Sequence, residues 1–374
     1  MKKTLSLLLT LVMLLALATG CAADPNGNAS SGNLQPNEEN NASADPSQDV
    51  PDDSQAPDDG NGEDEDGEDK PDEPDTQALT IRLGGLKGPT TIGMLKLLSD
   101  ADAGTTANNY EYTLAASADE LTPLLVKGEL DIIAAPVNLG AVLYNNNDGA
   151  VQFAAINTLG VVYIVEKGGE TVNSVADLKD KTIYATGKGS TPEYALRYLL
   201  AQNGLDPDAD VTIEWKSEPT EVVALMNESE TSIAMLPQPF VTVAQTQVEG
   251  LRIALDLTEQ WNALDNGSMF ITAGLIVRRE FAENHPEQLA AFLEEYKAST
   301  EYANEYVEET AALCESYNIV KAGVAKTAIP FCNITYIDGD AMAEAVSAYL
   351  SILYEQNPKA VGGTLPGEDF YYKP

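Results

Sequence analysis

The chain has 374 residues, with 59 acidic against 21 basic side chains and a formal net charge of −38 at pH 7. A phosphate backbone would be repelled, which excludes nucleic acid as a partner. Three cysteines and one histidine give no Cys/His spacing for a metal centre. His285, in Asn284-His285-Pro286-Glu287, reads as the start of a helix rather than a catalytic base. No catalytic residue, metal or cofactor is expected.

Residues 1–21 read as an export signal. Lys2 and Lys3 form a basic end, residues 5–17 are apolar apart from Ser6 and Thr10, and Thr19-Gly20-Cys21 closes the segment. The apolar run is too short for a comfortable membrane span. This end resembles the signal of bacterial lipoproteins, with Ala18 in place of the commoner leucine. The resemblance implies lipidation at Cys21 and a position on the extracytoplasmic face of the cell membrane. An ordinary cleaved signal is the alternative.

Residues 22–77 hold eighteen acidic residues against the single Lys70, and almost no large apolar side chain. Such a segment cannot bury a core and is extended by its own repulsion, so a disordered tether is expected. An acidic interaction tail is the other reading. Without this segment and the two signal lysines, residues 78–374 keep a net charge of −23. Cys314 and Cys332 remain there, either as a disulfide or as two buried thiols.

About 300 residues are left, enough for two lobes. Residues 79–83 form a strand that runs into Gly84-Gly85-Leu86-Lys87-Gly88-Pro89-Thr90-Thr91, and a helix is expected over 92–98. Further strands are expected at 110–115, 132–135, 153–156 and 161–165, with helices at 119–127 and 137–143. The theme then repeats. A short helical turn at 175–178 precedes the strand 182–185. Gly187-Lys188-Gly189-Ser190-Thr191-Pro192 follows, then a helix with Ala195, Leu196, Leu199 and Leu200 at helical spacing. Ser190 or Thr191 is placed to cap that helix, and its first amides would face a small anion or a dipolar oxygen. Strands at 211–215, 232–236, 251–255 and 269–277 and helices at 221–226, 241–246, 287–308, 309–317 and 340–356 complete the pattern. Alternating strands and helices imply parallel sheets covered on both faces, with ligands at the carboxyl ends of the strands.

Three stretches together are more specific: the Leu86-Lys87-Gly88-Pro89-Thr90 loop, Leu124-Leu125-Val126-Lys127-Gly128-Glu129-Leu130-Asp131-Ile132, and Val175-Ala176-Asp177-Leu178-Lys179-Asp180-Lys181-Thr182-Ile183 followed by Gly189-Ser190-Thr191. In this order they resemble the substrate-binding proteins of ABC importers, in the class that binds nitrate, alkanesulfonates, taurine and pyrimidine precursors. The resemblance covers residue 79 to about residue 354. It implies the type II periplasmic-binding-protein fold, α/β, with each lobe a mostly parallel sheet flanked by helices and a hinged cleft between. The expected boundaries are 78–167 for the first part of lobe one, 168–267 for lobe two, and 268–374 for the return to lobe one and the C-terminal helices. The implied function is capture of a small polar or anionic solute by a monomer that delivers it to a permease and its ATPase. A surface sensor on the same fold, or an enzyme on it, are the rivals.

Candidate ligand contacts follow the loops. Lys87, Gly88, Thr90 and Thr91 would line the cleft from lobe one, with Thr90 or Thr91 capping the helix. Asn138, after a buried strand, can donate and accept. Thr158 falls where the chain crosses between lobes. Gly189, Ser190 and Thr191 would form the lobe-two wall, where Lys188 could neutralise an anion. Gln238, between two prolines, is a further polar contact. Phe270 or Tyr163 could stack on a planar ligand. No arginine falls on a predicted pocket loop, so both a neutral heterocycle and an anion held by amides and hydroxyls are open.

Overall fold

The apolar runs become strands, and in the computed structural model, which describes residues 79–373, the strands assemble into two sheets. The signal at 1–21 and the tether at 22–77 lie outside the described residues. From β1 (Thr80–Leu86) the chain passes through α1 (Pro89–Ile92) and α2 (Leu95–Asp102) to β2 (Asn109–Ala115). Next come α3 (Ala118–Val126), β3 (Ile132–Pro136), α4 (Val137–Asn146) and β4 (Val151–Leu159). The second sheet's stretch holds β5 (Val162–Lys167), β6 (Thr182–Ala185), α5 (Thr191–Gln202), β7 (Thr212–Trp215) and α6 (Pro219–Glu228). It continues with β8 (Ser232–Pro237), α7 (Phe240–Gln247), β9 (Leu251–Asp256) and α8 (Leu257–Asn262). β10 (Ile271–Arg278) returns to the first sheet. It is followed by α9 (Arg279–Asn284), α10 (Pro286–Glu305), α11 (Val307–Ser316), α12 (Ala322–Ala328), β11 (Ile334–Ile337) and α13 (Gly339–Gln356).

The first sheet has the order β11-β4-β10-β3-β1-β2, the second β7-β6-β8-β5-β9. The fold is α/β with two helix-flanked sheets, as expected, but each sheet is mixed. β1 pairs in parallel with β2 and β3, and β6 with β7 and β8. β10 is antiparallel to β3 and β4, β4 to β11, and β5 to β8 and β9. Parallel pairing needs a crossover of a dozen residues or more. β4 passes to β5 through Gly160 and Val161 alone, so β5 enters the second sheet without one. β5, put by sequence at the end of lobe one, hydrogen-bonds in the second sheet.

Several local expectations change. Gly84 and Gly85 belong to β1 rather than to a turn. A Cβ on Gly84 would come within 2.8 Å of Leu130, and one on Gly85 within 2.4 Å of the Thr91 hydroxyl, so close packing requires glycine here. The helix expected over 92–98 breaks at Gly93 into α1 and α2. α8, α9, α12 and β11 have no counterpart in the sequence reading; at four to seven residues each they are too short for a period to emerge. Cys314 and Cys332 are buried free thiols, and burial pushes the Cys314 thiol up to about 12. No helix of the described residues is long and apolar enough to cross a membrane.

Candidate ligand-binding site

Strand ends and helix starts from both sheets converge on a cavity of about 370 Å³. The first sheet supplies the β1–α1 loop, the start of α3 at Ser117 and Asp119, Pro136 at the end of β3, and Thr272 and Ala273 of β10. The second supplies residues 186–190 and Pro192 before and in α5, Lys216, Ser217 and Pro219 before and at the start of α6, Pro237, and Phe240 of α7. A wider hollow of about 540 Å³ over Trp261, Asn266 and Glu344 is not lined by the loops at these strand ends.

Of the sequence candidates, Lys87, Gly88, Thr90, Gly189 and Ser190 line the cavity. Thr91, Asn138, Thr158, Thr191 and Gln238 are buried behind it, and each has a side-chain oxygen hydrogen-bonded within the protein. Thr90 and Thr91 do not cap α1, whose capping position is Gly88; both hydroxyls donate back to Leu86 O, at 3.2 and 2.6 Å. Thr158 Oγ1 donates to Asn157 Oδ1. Gln238 Oε1 accepts from the Thr242 amide and hydroxyl and so holds the start of α7. Phe270 stacks on Trp261 with ring centres 5.3 Å apart, and the Tyr163 hydroxyl donates to Phe331 O.

Asn138 is fully buried and joins the two halves of the cleft. Its Nδ2 donates to Gly189 O (3.2 Å) and Ala360 O (3.1 Å), and its Oδ1 accepts from Thr191 Oγ1 (3.2 Å). Both of its amide donors are thereby used within the protein.

The turn before α5 also differs from expectation. Gly187 and Gly189 take left-handed conformations, φ 82° and 76°, which only glycine adopts without strain. This folds the loop so that Ser190, the capping residue by position, turns its hydroxyl back to Gly187 O (2.7 Å). The Gly189 amide, expected to face a ligand, donates to Glu193 Oε2 at 2.6 Å instead. Glu193 is itself held by Arg197 Nε at 3.0 Å. Sequence reasoning missed Thr272, Phe240 and the α3 and α6 starts. Strand-to-helix junctions at Ala116-Ser117 and Ser217-Glu218 were a usable signal.

Lys87 and Lys188 are exposed at the rim and form no ion pair among the described residues. Lys216 Nζ pairs with Glu214 Oε2 at 3.3 Å and lies over the Tyr184 ring. Among the described residues no cluster of three or more His, Cys, Asp or Glu could hold a metal.

Solved structures share this arrangement. One described as an ABC transporter from Parabacteroides distasonis is 26% identical, with a TM-score of 0.65, covering 79% of this chain and 99% of its own. The periplasmic aliphatic sulphonate binding protein SsuA from Escherichia coli is 18% identical, with a TM-score of 0.63 over 79% of this chain and 92% of its own. The periplasmic nitrate-binding protein NrtA from Synechocystis PCC 6803 is 14% identical, with a TM-score of 0.54 over 71% and 75%. None of the curated proteins compared matches the chain. Residues 96–317 match the model of the NMT1-like family, and with more than half its length inside that match the chain belongs to this family.

Proposed function

We propose that the chain captures a small polar solute in the cleft between its two sheets and delivers it to an ABC importer. The observation that carries this is the cavity at the meeting of strand ends and helix starts from both sheets, where α/β folds bind ligands. The names of the similar structures, an ABC transporter and binding proteins for sulphonate and nitrate, support it. The reading is a binder rather than an enzyme: the ionisable side chains at the cavity are three lysines and Asp119, without a paired acid and base. In this reading the outgoing hinge moves from the expected 167/168 to Gly160 and Val161, so β5 belongs to lobe two, and lobe one takes up again at 268–374.

The test is thermal melting of residues 78–374 against nitrate, alkanesulfonates, pyrimidines, flavins and amino acids. A true ligand at a hundred times its Kd adds about 2.7 kcal/mol of stability. A chain that no member shifts is not a solute binder of this kind.

We further propose that Cys21 carries a lipid and holds the protein at the extracytoplasmic face of the membrane, as a monomer. A Cys21→Ala protein is then shed or left unprocessed. Mass spectrometry that finds an unmodified mature N-terminus elsewhere in the wild type removes the anchor from the reading.

A further inference from the structure

Past Gln356, where α13 ends, the chain makes only two short turns, Pro358–Val361 and Glu368–Phe370. The first packs on α4 and the second on β4. Side chains of lobe one hold this strap along its length. Asn145 Nδ2 donates to Val361 O and to Thr364 O, both at 2.7 Å. Asp369 Oδ1 accepts from the Tyr144 hydroxyl (2.5 Å), and Asp369 Oδ2 from Arg279 (2.9 Å). Phe370 is fully buried against Tyr144 and Phe153, with ring centres 5.3 and 5.9 Å away. The Tyr372 amide donates to Phe153 O (2.9 Å).

Asn138 stands seven residues before Asn145, two helical turns away on the same face of α4. Between them, a Cβ on Gly362 would come within 3.1 Å of the Val142 backbone, so the strap lies as close to this face as glycine permits. Asn138 differs from Asn145 in reaching two ways. One of its amide hydrogens goes to Ala360 O in the strap and the other to Gly189 O, while its oxygen accepts from Thr191 Oγ1. The three groups of a planar amide turn together, so the bond to Ala360 O fixes the orientation in which Asn138 meets Gly189 and Thr191. Gly189 lines the cavity, and Thr191 is the first residue of α5. Asn138, Ala360 and Thr191 are fully buried, so a partner lost here is not simply replaced by bulk water. The turn that Asn138 steadies contains two glycines, Gly187 and Gly189, whose backbones have the most freedom to lose.

We propose that the C-terminal strap is a positioning element of the cleft. It holds the turn at residues 187–191 in the cavity wall through the side chain of Asn138, and Asn145 acts by keeping the strap in place. That this wall serves a solute rests on the capture reading above; the coupling between strap and turn is measured without a solute.

The experiment is hydrogen exchange read by mass spectrometry on the unliganded protein, as wild type, Asn145→Ala and Thr191→Val. The hydrogen bonds given for Asn145 all go to the strap or come from it, and Thr191 bonds to Asn138 rather than to the strap. In Asn145→Ala the amides of Gly189, Ser190 and Glu193, each bonded within the turn, exchange about three- to tenfold faster. In Thr191→Val, which keeps the shape and removes one bond to Asn138, the strap amides of Ala360, Gly362 and Gly363 exchange faster by a similar factor, because coupling is reciprocal. At exchange times far shorter than global unfolding, the amides of β7 and α6 stay at wild-type rates in both variants. A strap that loosens in Asn145→Ala while the turn does not overturns the proposal, as does a strap unmoved by Thr191→Val. An Asn145→Ala protein in which neither segment changes overturns it too, and so does an equal rise in β7 and α6, which marks a general loss of stability. If the coupling is seen and no solute shifts the Tm, the strap's role stands and the capture reading falls; a solute that binds without the coupling removes the strap's role alone.

Discussion

Replacing Asn138 by alanine lowers the melting temperature of the unliganded protein by about 6–12 °C. Asn138 is fully buried between α4, the turn before α5 and the C-terminal segment. Its removal strands the carbonyls of Gly189 and Ala360 and the hydroxyl of Thr191. Each buried polar group left unpaired costs about 1–3 kcal/mol, and water entering the space repairs part of that, so a loss of about 3 kcal/mol is expected. At about 2–4 °C per kcal/mol for a domain of this size, the shift is large enough to read by calorimetry. Asn138→Asp falls between wild type and alanine at low pH, where the protonated acid keeps the acceptor and one of the two donors. A melting curve unmoved by Asn138→Ala would mean that this contact between the two halves is not made in the unliganded protein.

Glu166→Gln costs about 3 kcal/mol at pH 7. Glu166, at the end of β5, is buried. It accepts from the Thr171 amide and hydroxyl, the Val172 amide and the guanidinium of Arg252. Glutamine keeps the shape but turns a donor toward donors and leaves the Arg252 charge without its counter-ion. The figure is the low end for breaking a buried pair, because Arg252 is partly exposed. Burial by itself pushes the Glu166 carboxyl up, but the bonds from Thr171, Arg252 and Val172 outweigh it and hold the group below the usual range. The sign for pH follows. A carboxylate whose folded pKa is depressed contributes its full stability above the unfolded value, about 4.3, and loses it as pH falls through the folded one. The gap between wild type and Glu166→Gln, measured by urea unfolding, is therefore full at pH 7 and narrows below about pH 4. A gap independent of pH would show that Glu166 acts through shape alone.

Much of the architecture was legible from periodicity. Strands at Ile132–Pro136, Thr182–Ala185 and Ser232–Pro237 stand out because they are short apolar runs bounded by Gly, Pro and charged residues. The helix at Thr191–Gln202 announced itself by its proline start and its Ala195, Leu196, Leu199, Leu200 stripe. The Lys87-Gly88 loop and the Gly189-Ser190 turn were readable as cavity walls because strand, glycine turn and helix in that order put backbone at a strand's carboxyl end.

What tertiary structure alone decided is which polar atoms are free. Sequence places Ser190, Thr191 and the Gly189 amide at a helix start. It does not say that Glu193 one turn on has folded back onto that amide, or that Thr191 is bonded to Asn138, fifty-three residues earlier in the chain. The direction of β5 and β10 was hidden for a related reason: pairing depends on how the connection reaches the sheet, and period-two patterns read the same in either direction. Local pattern determined the elements, since each depends on a few neighbouring residues; hydrogen-bond satisfaction joins residues far apart in the chain, so the fold determined the site.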